Sequence, residues 1–339
     1  MNATISEEGV SSVAHPVQGL VCVHGYTDTA LRTLPAPGVF ASIEAFTVTI
    51  KLRTLQNSNA SPVIRQCGNA LPTNWESRMR EFISIIFGRF NVQHSCIVDI
   101  EQNFDSAIGL GSSAAIYAAL TVALTYSLQK ELSTTELSLL ARLGSYSAAA
   151  SITGNISRID VSDRAEENYS KVICDKDVFP YRIIVLPVSG KKESEQIHSE
   201  IVKSPYYSTW LSRAQLISER VSADFRKGLF SAAGNLIESF IFDNQAAIST
   251  GPNNLVLWSG HTLQRILILR RLRIERDLSF FISMNSGPAV FIYALPDELP
   301  TILEELNNAG IDYVISNIGG AAIGRGFRAQ VESWSPNGH

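Results

Sequence analysis

The run Ser106-Ala-Ile-Gly-Leu-Gly-Ser-Ser-Ala-Ala115 constrains the chain more than any other, because it feeds directly into the apolar stretch AALTVALTYSLQ. It reads as a turn from a strand into a helix. Glycine at 109 and 111 permits backbone conformations, and a closeness of approach, that a Cβ would block. Ser112 and Ser113 place hydroxyls at the helix start, where unpaired N–H groups and the helix dipole attract anions. The segment is therefore either a phosphate cradle or a serine-capped helix behind a glycine turn.

Three phosphate-binding designs compete for it. A Walker loop needs Gly-Lys-Ser/Thr after its glycines, and no lysine follows Gly111. The dinucleotide pattern GxGxxA is met by Gly109, Gly111 and Ala114, and Glu131 has the spacing of its acid. That design also needs a crossover to a parallel strand, whereas TTELSLLARLG reads as another helix behind a Ser133/Thr134 cap. The third design is the loop Pro-x-x-x-Gly-Leu-Gly-Ser-Ser-Ala, which this run matches except that Asp105 stands at the proline.

At roughly 150 residues per domain, 339 residues imply two domains. With 45% hydrophobic and 18% charged residues the chain can bury a core. A balance of 28 Lys and Arg against 32 Asp and Glu shows no basic face for nucleic acid. Four scattered cysteines, with no CxxC and no spaced His pair, speak against zinc or a disulfide framework, so no metal is expected. MNATISEEGVSS lacks an apolar core, so no signal peptide is expected, and no apolar run is long enough to span a membrane. These features lead us to expect a cytoplasmic protein with a small-molecule partner.

The first ten or so residues read as frayed. GLVCV from Gly19 reads as a strand ended by HGYTD, and LRTLPAPGVFASI as a loop. Phe46, Val48, Ile50 and Leu52 alternate onto one face of a half-buried strand. Trp75, Met79, Phe82, Ile83 and Ile86 have helical spacing, and SCIVDIEQN is another strand. YRIIVLPV predicts a strand followed by the polar loop GKKESEQ, then a long helical stretch from Ser204 to Ile241. A basic amphipathic helix carries Arg265, Arg270, Arg271 and Arg273, expected as a solvated face. A hairpin-like strand pair around Asn-Ser-Gly-Pro and a final helix LPTILEELNNAG complete an α+β pattern. The boundary is expected near residue 185, giving domains 1–185 and 186–339.

The Gly-Ser loop resembles that of the galactokinase–homoserine kinase–mevalonate kinase (GHMP) superfamily. Within it, Ala141-Arg-Leu-Gly-Ser-Tyr-Ser-Ala-Ala-Ala-Ser-Ile-Thr-Gly154 is similar to the mevalonate diphosphate decarboxylase segment Ala-Arg-x-Gly-Ser-Gly-Ser-Ala-x-Arg-Ser-x-x-Gly. Lys203-Ser-Pro-Tyr-Tyr-Ser-Thr-Trp210 resembles that family's Thr-Ser-Pro helix start, and Asn285-Ser-Gly-Pro-Ala-Val its Asp-Ala-Gly-Pro-Asn-Val. The landmarks keep the family's order from about residue 15 to 323. The resemblance implies a GHMP-kinase-like two-domain fold: a ribosomal-S5-like N-terminal domain and a ferredoxin-like C-terminal one, with the site between them. It also implies a homodimer.

The family phosphorylates its substrate's 3-hydroxyl and then expels phosphate and carbon dioxide. Three charged residues carry that chemistry, and all three differ here. The Asp facing the hydroxyl becomes Asn285, the carboxylate-holding Arg becomes Ala150, and the first-strand Lys falls among Val23, His24 and Gly25. An Asp in that place orients or deprotonates a hydroxyl for attack on a nucleotide. A substrate that already carries a 3-phosphate has no hydroxyl to activate. The resemblance therefore implies a divergent homologue resembling mevalonate 3,5-bisphosphate decarboxylases, using no cofactor and releasing isopentenyl phosphate. Asn285 and His24 are its expected catalytic groups. Tyr26, Arg78, Ser145, Ser147, Lys203 and Ser286 are expected to bind substrate, and Gly109, Gly111, Ser112 and Ser113 a phosphate. Arg80, Arg142 and Lys203, beside Arg78, are candidates to replace the missing cation. The alternatives are a Mg-ATP-dependent kinase or decarboxylase of mevalonate derivatives, and a catalytically inactive binding protein of the same fold.

Overall fold

The computed structural model describes residues 8–56, 60–105, 110–188 and 194–328. Its first half runs β1 (Glu8–Ala14), β2 (Val17–Val21), β3 (Gly38–Ser42), β4 (Val48–Gln56), β5 (Val63–Gln66), β6 (Asn69–Ala70), α1 (Thr73–Arg89), β7 (His94–Gln102), α2 (Ser112–Ser127), α3 (Thr134–Gly144), α4 (Ala148–Thr153), β8 (Ile156–Ile159) and β9 (Ser170–Cys174). The second half runs β10 (Arg182–Leu186), α5 (Ser194–Ile201), α6 (Tyr207–Arg226), α7 (Phe230–Ser249), α8 (Gly260–Glu275), β11 (Phe281–Ser283), β12 (Val290–Ala294), α9 (Leu299–Asn308), β13 (Val314–Ser316) and β14 (Ile323–Arg328).

Three sheets result. A six-stranded one has the order β14-β1-β4-β7-β5-β6, and a four-stranded one β2-β3-β8-β9. Val48, Ile50 and Leu52 are wholly buried, so the alternation read in this strand sets its inner face. They pack with α1 and with α2, which is buried from Ala114 to Thr125. The third sheet, β11-β12-β10-β13, is antiparallel throughout and has the ferredoxin-like strand order. Its residues alternate between two cores. Ile183, Val185 and Tyr293 face α6 and α7, while Ile184, Leu186 and Ile292 face α8 and α9.

Several expectations change. Residues 8–14 are not frayed: β1 lies between β4 and β14, and its polar look misleads because Ser12 is buried and donates to the Ala119 carbonyl at 2.7 Å. The loop read around Pro35–Gly38 gives way to β3. The long helical stretch breaks at Gly228, whose φ of 72° favours glycine, into α6 and α7. Strand pairing also divides the chain differently from a cut at 185/186. β10 joins only C-terminal strands, and β14 returns to the first sheet.

The arginines of α8 keep part of their surface in water, Arg271 most of all, but each also has a partner. Arg270 and Arg273 bind Glu238 on α7, Arg271 binds Glu305, and Arg265 donates to the Leu186 and Pro187 carbonyls. They fasten the helix to its neighbours.

Candidate active site

A cleft of about 370 Å³ opens where the two halves meet. Its walls come from the turn after β2 (Cys22, Val23, His24, Tyr26), the start of α2 (Gly111, Ser113), the turn between α3 and α4 (Ser145 to Ser147), the first turns of α1 and α5, and Asn285. Seven of the sequence-derived site residues besides Asn285 therefore converge: His24, Tyr26, Arg78, Gly111, Ser113, Ser145 and Ser147. Ser112 and Ser286 are not on the lining, and Gly109 lies outside the described residues.

Lys203 does not belong to this site. Its side chain is over half exposed, with Nζ 3.9 Å from Glu200, and it is absent from the cleft wall. The other cations considered are also used elsewhere. Arg80 pairs with Glu76 one helical turn away, and buried Arg142 donates to the Ala165 and Asn168 carbonyls. Ala150 is wholly buried in the core, so that position presents nothing to the cleft.

The helix start is built for an anion. Gly111, at φ 69° and ψ 47°, is the N-cap residue of α2, and among the described residues no side chain caps the helix. The serine-cap alternative is thereby removed. Ser112 and Ser113 occupy the first helical turn, where free amides and the helix dipole favour negative charge. Because neither hydroxyl caps the helix, their removal can be read as ligand binding without a lost cap. Ser113→Ala is expected to weaken binding of inorganic phosphate about tenfold, since a hydrogen bond to a charged group contributes about 1.5–3 kcal/mol. Ser112→Ala should leave it nearly unchanged. Equal losses in calorimetric titrations of the two variants would contradict this division.

Asn285 is held in one orientation. β2 is an edge strand, so an outward amide there has no strand partner, and the Gly19 N–H donates to Asn285 Oδ1 at 2.5 Å. With its oxygen used, the side chain can turn only its NH₂ donors to the cleft. Gln18, fully buried beside it, fixes β2 to the other domain by donating to Ser283 Oγ and accepting from Tyr293 Oη. Buried Ser286 stands behind the wall, with Oγ 3.0 Å from His24 Nε2, and Cys22 Sγ is 3.6 Å from the same nitrogen.

Another part of the cleft wall is ionic. Arg32 Nη1 and Arg78 Nη2 both donate to Glu195 Oε1, at 2.9 and 3.2 Å. Arg32 also donates to Tyr26 Oη and, through Nε, to the Leu143 carbonyl just before the serine turn. Burial alone would raise the Glu195 carboxyl, but the hydrogen bond and charge of Arg32, with Arg78 and His198, hold it below its usual range. Burial and Glu195 together push the Tyr26 phenol up. His198 stacks on Tyr26 at 3.9 Å, and its Nδ1 accepts the Gly25 N–H.

Sequence reasoning missed Arg32, Glu195 and His198. Arg32 sits in an irregular loop with φ of 49°, and no periodicity marks it. Glu195 lies in the segment GKKESEQ read as a loop (its residues 190–193 lie outside the described ones), yet Ser194–Ile201 is α5. The turn at Ser145–Ser147 joins α3 to α4, and the two hydroxyls lie 3.3 Å apart.

A ferredoxin-like sheet, an open glycine-capped helix start and a cleft between them make up a GHMP-kinase-like fold. Residues 14–170 match the diphosphomevalonate decarboxylase-like N-terminal domain. Phosphomevalonate decarboxylase of Haloferax volcanii is 27% identical over 314 residues, covering 91% of this chain and 95% of that protein. Mevalonate diphosphate decarboxylase structures share the fold. That from Enterococcus faecalis has a TM-score of 0.87 at 19% identity, covering 96% of this chain and all of its own. That from Staphylococcus aureus has a TM-score of 0.87 at 20% identity, covering 95% and 98%. By these comparisons the first half of the chain is similar to the diphosphomevalonate decarboxylase-like N-terminal domain, and the chain as a whole has the fold of the mevalonate diphosphate decarboxylases. No helix among the described residues is long and apolar enough to cross a membrane.

Proposed function

We propose that the chain is a mevalonate-pathway decarboxylase that acts on mevalonate 3,5-bisphosphate without a nucleotide. The observation that carries this is Asn285, whose oxygen is committed to the Gly19 amide so that it offers hydrogen-bond donors where a kinase needs a base. Glu195 is the one carboxylate among the described cleft-lining residues, and two arginines hold it.

The reaction needs a leaving group stabilised rather than a hydroxyl activated. The C3–O bond breaks and its electron pair leaves with phosphate. The C1–C2 pair then becomes the C2=C3 double bond and C1 departs as carbon dioxide. In this reading Asn285 donates to the departing phosphate, with the first turn of α2 and His24 nearby. Ser145, Ser147, Arg32 and Arg78 take the 5-phosphate. Val17, Phe40 and Tyr146 supply an apolar wall against which a charged carboxylate gives way to a neutral product.

The α2 start would equally cradle a nucleotide's phosphates, which favours ATP-dependent decarboxylation as the second reading. Product analysis separates them. The first predicts isopentenyl phosphate, carbon dioxide and phosphate in equal amounts from the bisphosphate. Consumption of ATP for each carbon dioxide released would replace it with the second.

A further inference from the structure

Arg32 and Arg78 converge on a single oxygen of Glu195. Two guanidinium groups would make a site of charge +2, and the carboxylate reduces it to +1. Arg32 Nε is bonded to the Leu143 carbonyl, which sets this triad beside Ser145 and Ser147, the turn assigned above to the 5-phosphate. We infer that Glu195 is a specificity-determining residue that makes the cleft prefer a 5-monophosphate over a 5-diphosphate.

The inference rests on the proposed function and deepens it. A phosphate monoester brings about −1.5 to −2 charges at neutral pH, and a diphosphate brings more. The monoester is balanced by two arginines less one carboxylate together with two serine hydroxyls. The further phosphoryl group of a diphosphate meets the carboxylate itself, and a repulsive charge discriminates as strongly as an attractive contact. Glu195 stays ionised near neutrality, because Arg32 and Arg78 hold its carboxyl down against the effect of burial. Its side chain is 52% exposed, so it can bend aside for a small anion, but the effect is partly screened by water.

The test is calorimetric titration of the whole chain with mevalonate 5-phosphate and mevalonate 5-diphosphate at one fixed ionic strength. Wild type should bind the 5-phosphate more tightly. Glu195→Gln should improve the diphosphate's affinity about tenfold more than the monophosphate's, the order expected for one charge a few ångströms away in a half-wet site. Glu195→Ala should shift the ratio alike, and Glu195→Asp should restore it, which separates charge from packing. Raised salt should shrink the difference. A ratio unchanged in Glu195→Gln and Glu195→Ala, with both ligands still binding, overturns this inference alone. If wild type binds neither ligand, the cleft has no 5-phosphate subsite of the kind assigned above and the inference is overturned, whereas the proposed function stands or falls on turnover of the bisphosphate.

Discussion

Asn285→Asp is expected to lower the rate of decarboxylation of the bisphosphate by roughly 100–1000-fold, the loss associated with removing one well-placed donor to a developing anion. The geometry makes this substitution sharper than a truncation. One carboxylate oxygen of the aspartate would keep the Gly19 N–H bond, so the side chain stays in place. The other oxygen would replace the NH₂ and set a negative charge against the leaving phosphate. The loss should fall on kcat, with the melting temperature unchanged. A variant that turns over the bisphosphate at the wild-type rate would show that the Asn285 amide plays no part in expelling phosphate.

The largest effect on stability is expected at Glu238. Its carboxylate takes two hydrogen bonds from Arg273, at 2.6 and 2.9 Å, and a third from the Ile282 amide at 3.1 Å, with Arg270 at 3.3 Å. It joins α7, α8 and β11. Glu238→Ala leaves two arginines and an amide facing each other, and breaking a buried pair costs about 3–5 kcal/mol. We expect about 3 kcal/mol in denaturant unfolding, since Arg270 and Arg273 keep partial access to water. Burial would raise this carboxyl, but Arg273, the Ile282 amide and Arg270 depress it. Its contribution is therefore complete above the ordinary glutamate value, about 4.3, and is lost as pH falls through the depressed folded value. Glu238→Gln should approach wild type in acid and lag it at neutral pH. A gap that is independent of pH would contradict the ion-pair account.

What could be read in the sequence followed from local rules. Ser133 and Glu136 form the capping box expected of a Ser/Thr start, and the alternation of Val48, Ile50 and Leu52 marked a buried face. The glycine-serine run identified the helix that opens onto the cleft because glycine and serine act there through their own backbone and hydroxyl chemistry. What escaped depends on chain segments far apart. β1 is held by β14, more than three hundred residues away, and its Ser12 is satisfied by a tertiary contact that no window of sequence contains. Likewise, Arg32, Arg78 and Glu195 come from three separate segments, and only folding makes them one ionic group. The same holds for Asn285. Its replacement of Asp was legible, but its orientation depends on an amide 266 positions away.

In the proposed reaction this cleft expels a phosphate that its substrate already carries. Purified protein, freed of nucleotide, should be given mevalonate 3,5-bisphosphate labelled at C1, and trapped labelled carbon dioxide measured with and without Mg-ATP. The account predicts sustained release at the same rate in both samples, with isopentenyl phosphate formed in step. Release that begins only when Mg-ATP is added, or no release from the bisphosphate at all, would contradict it.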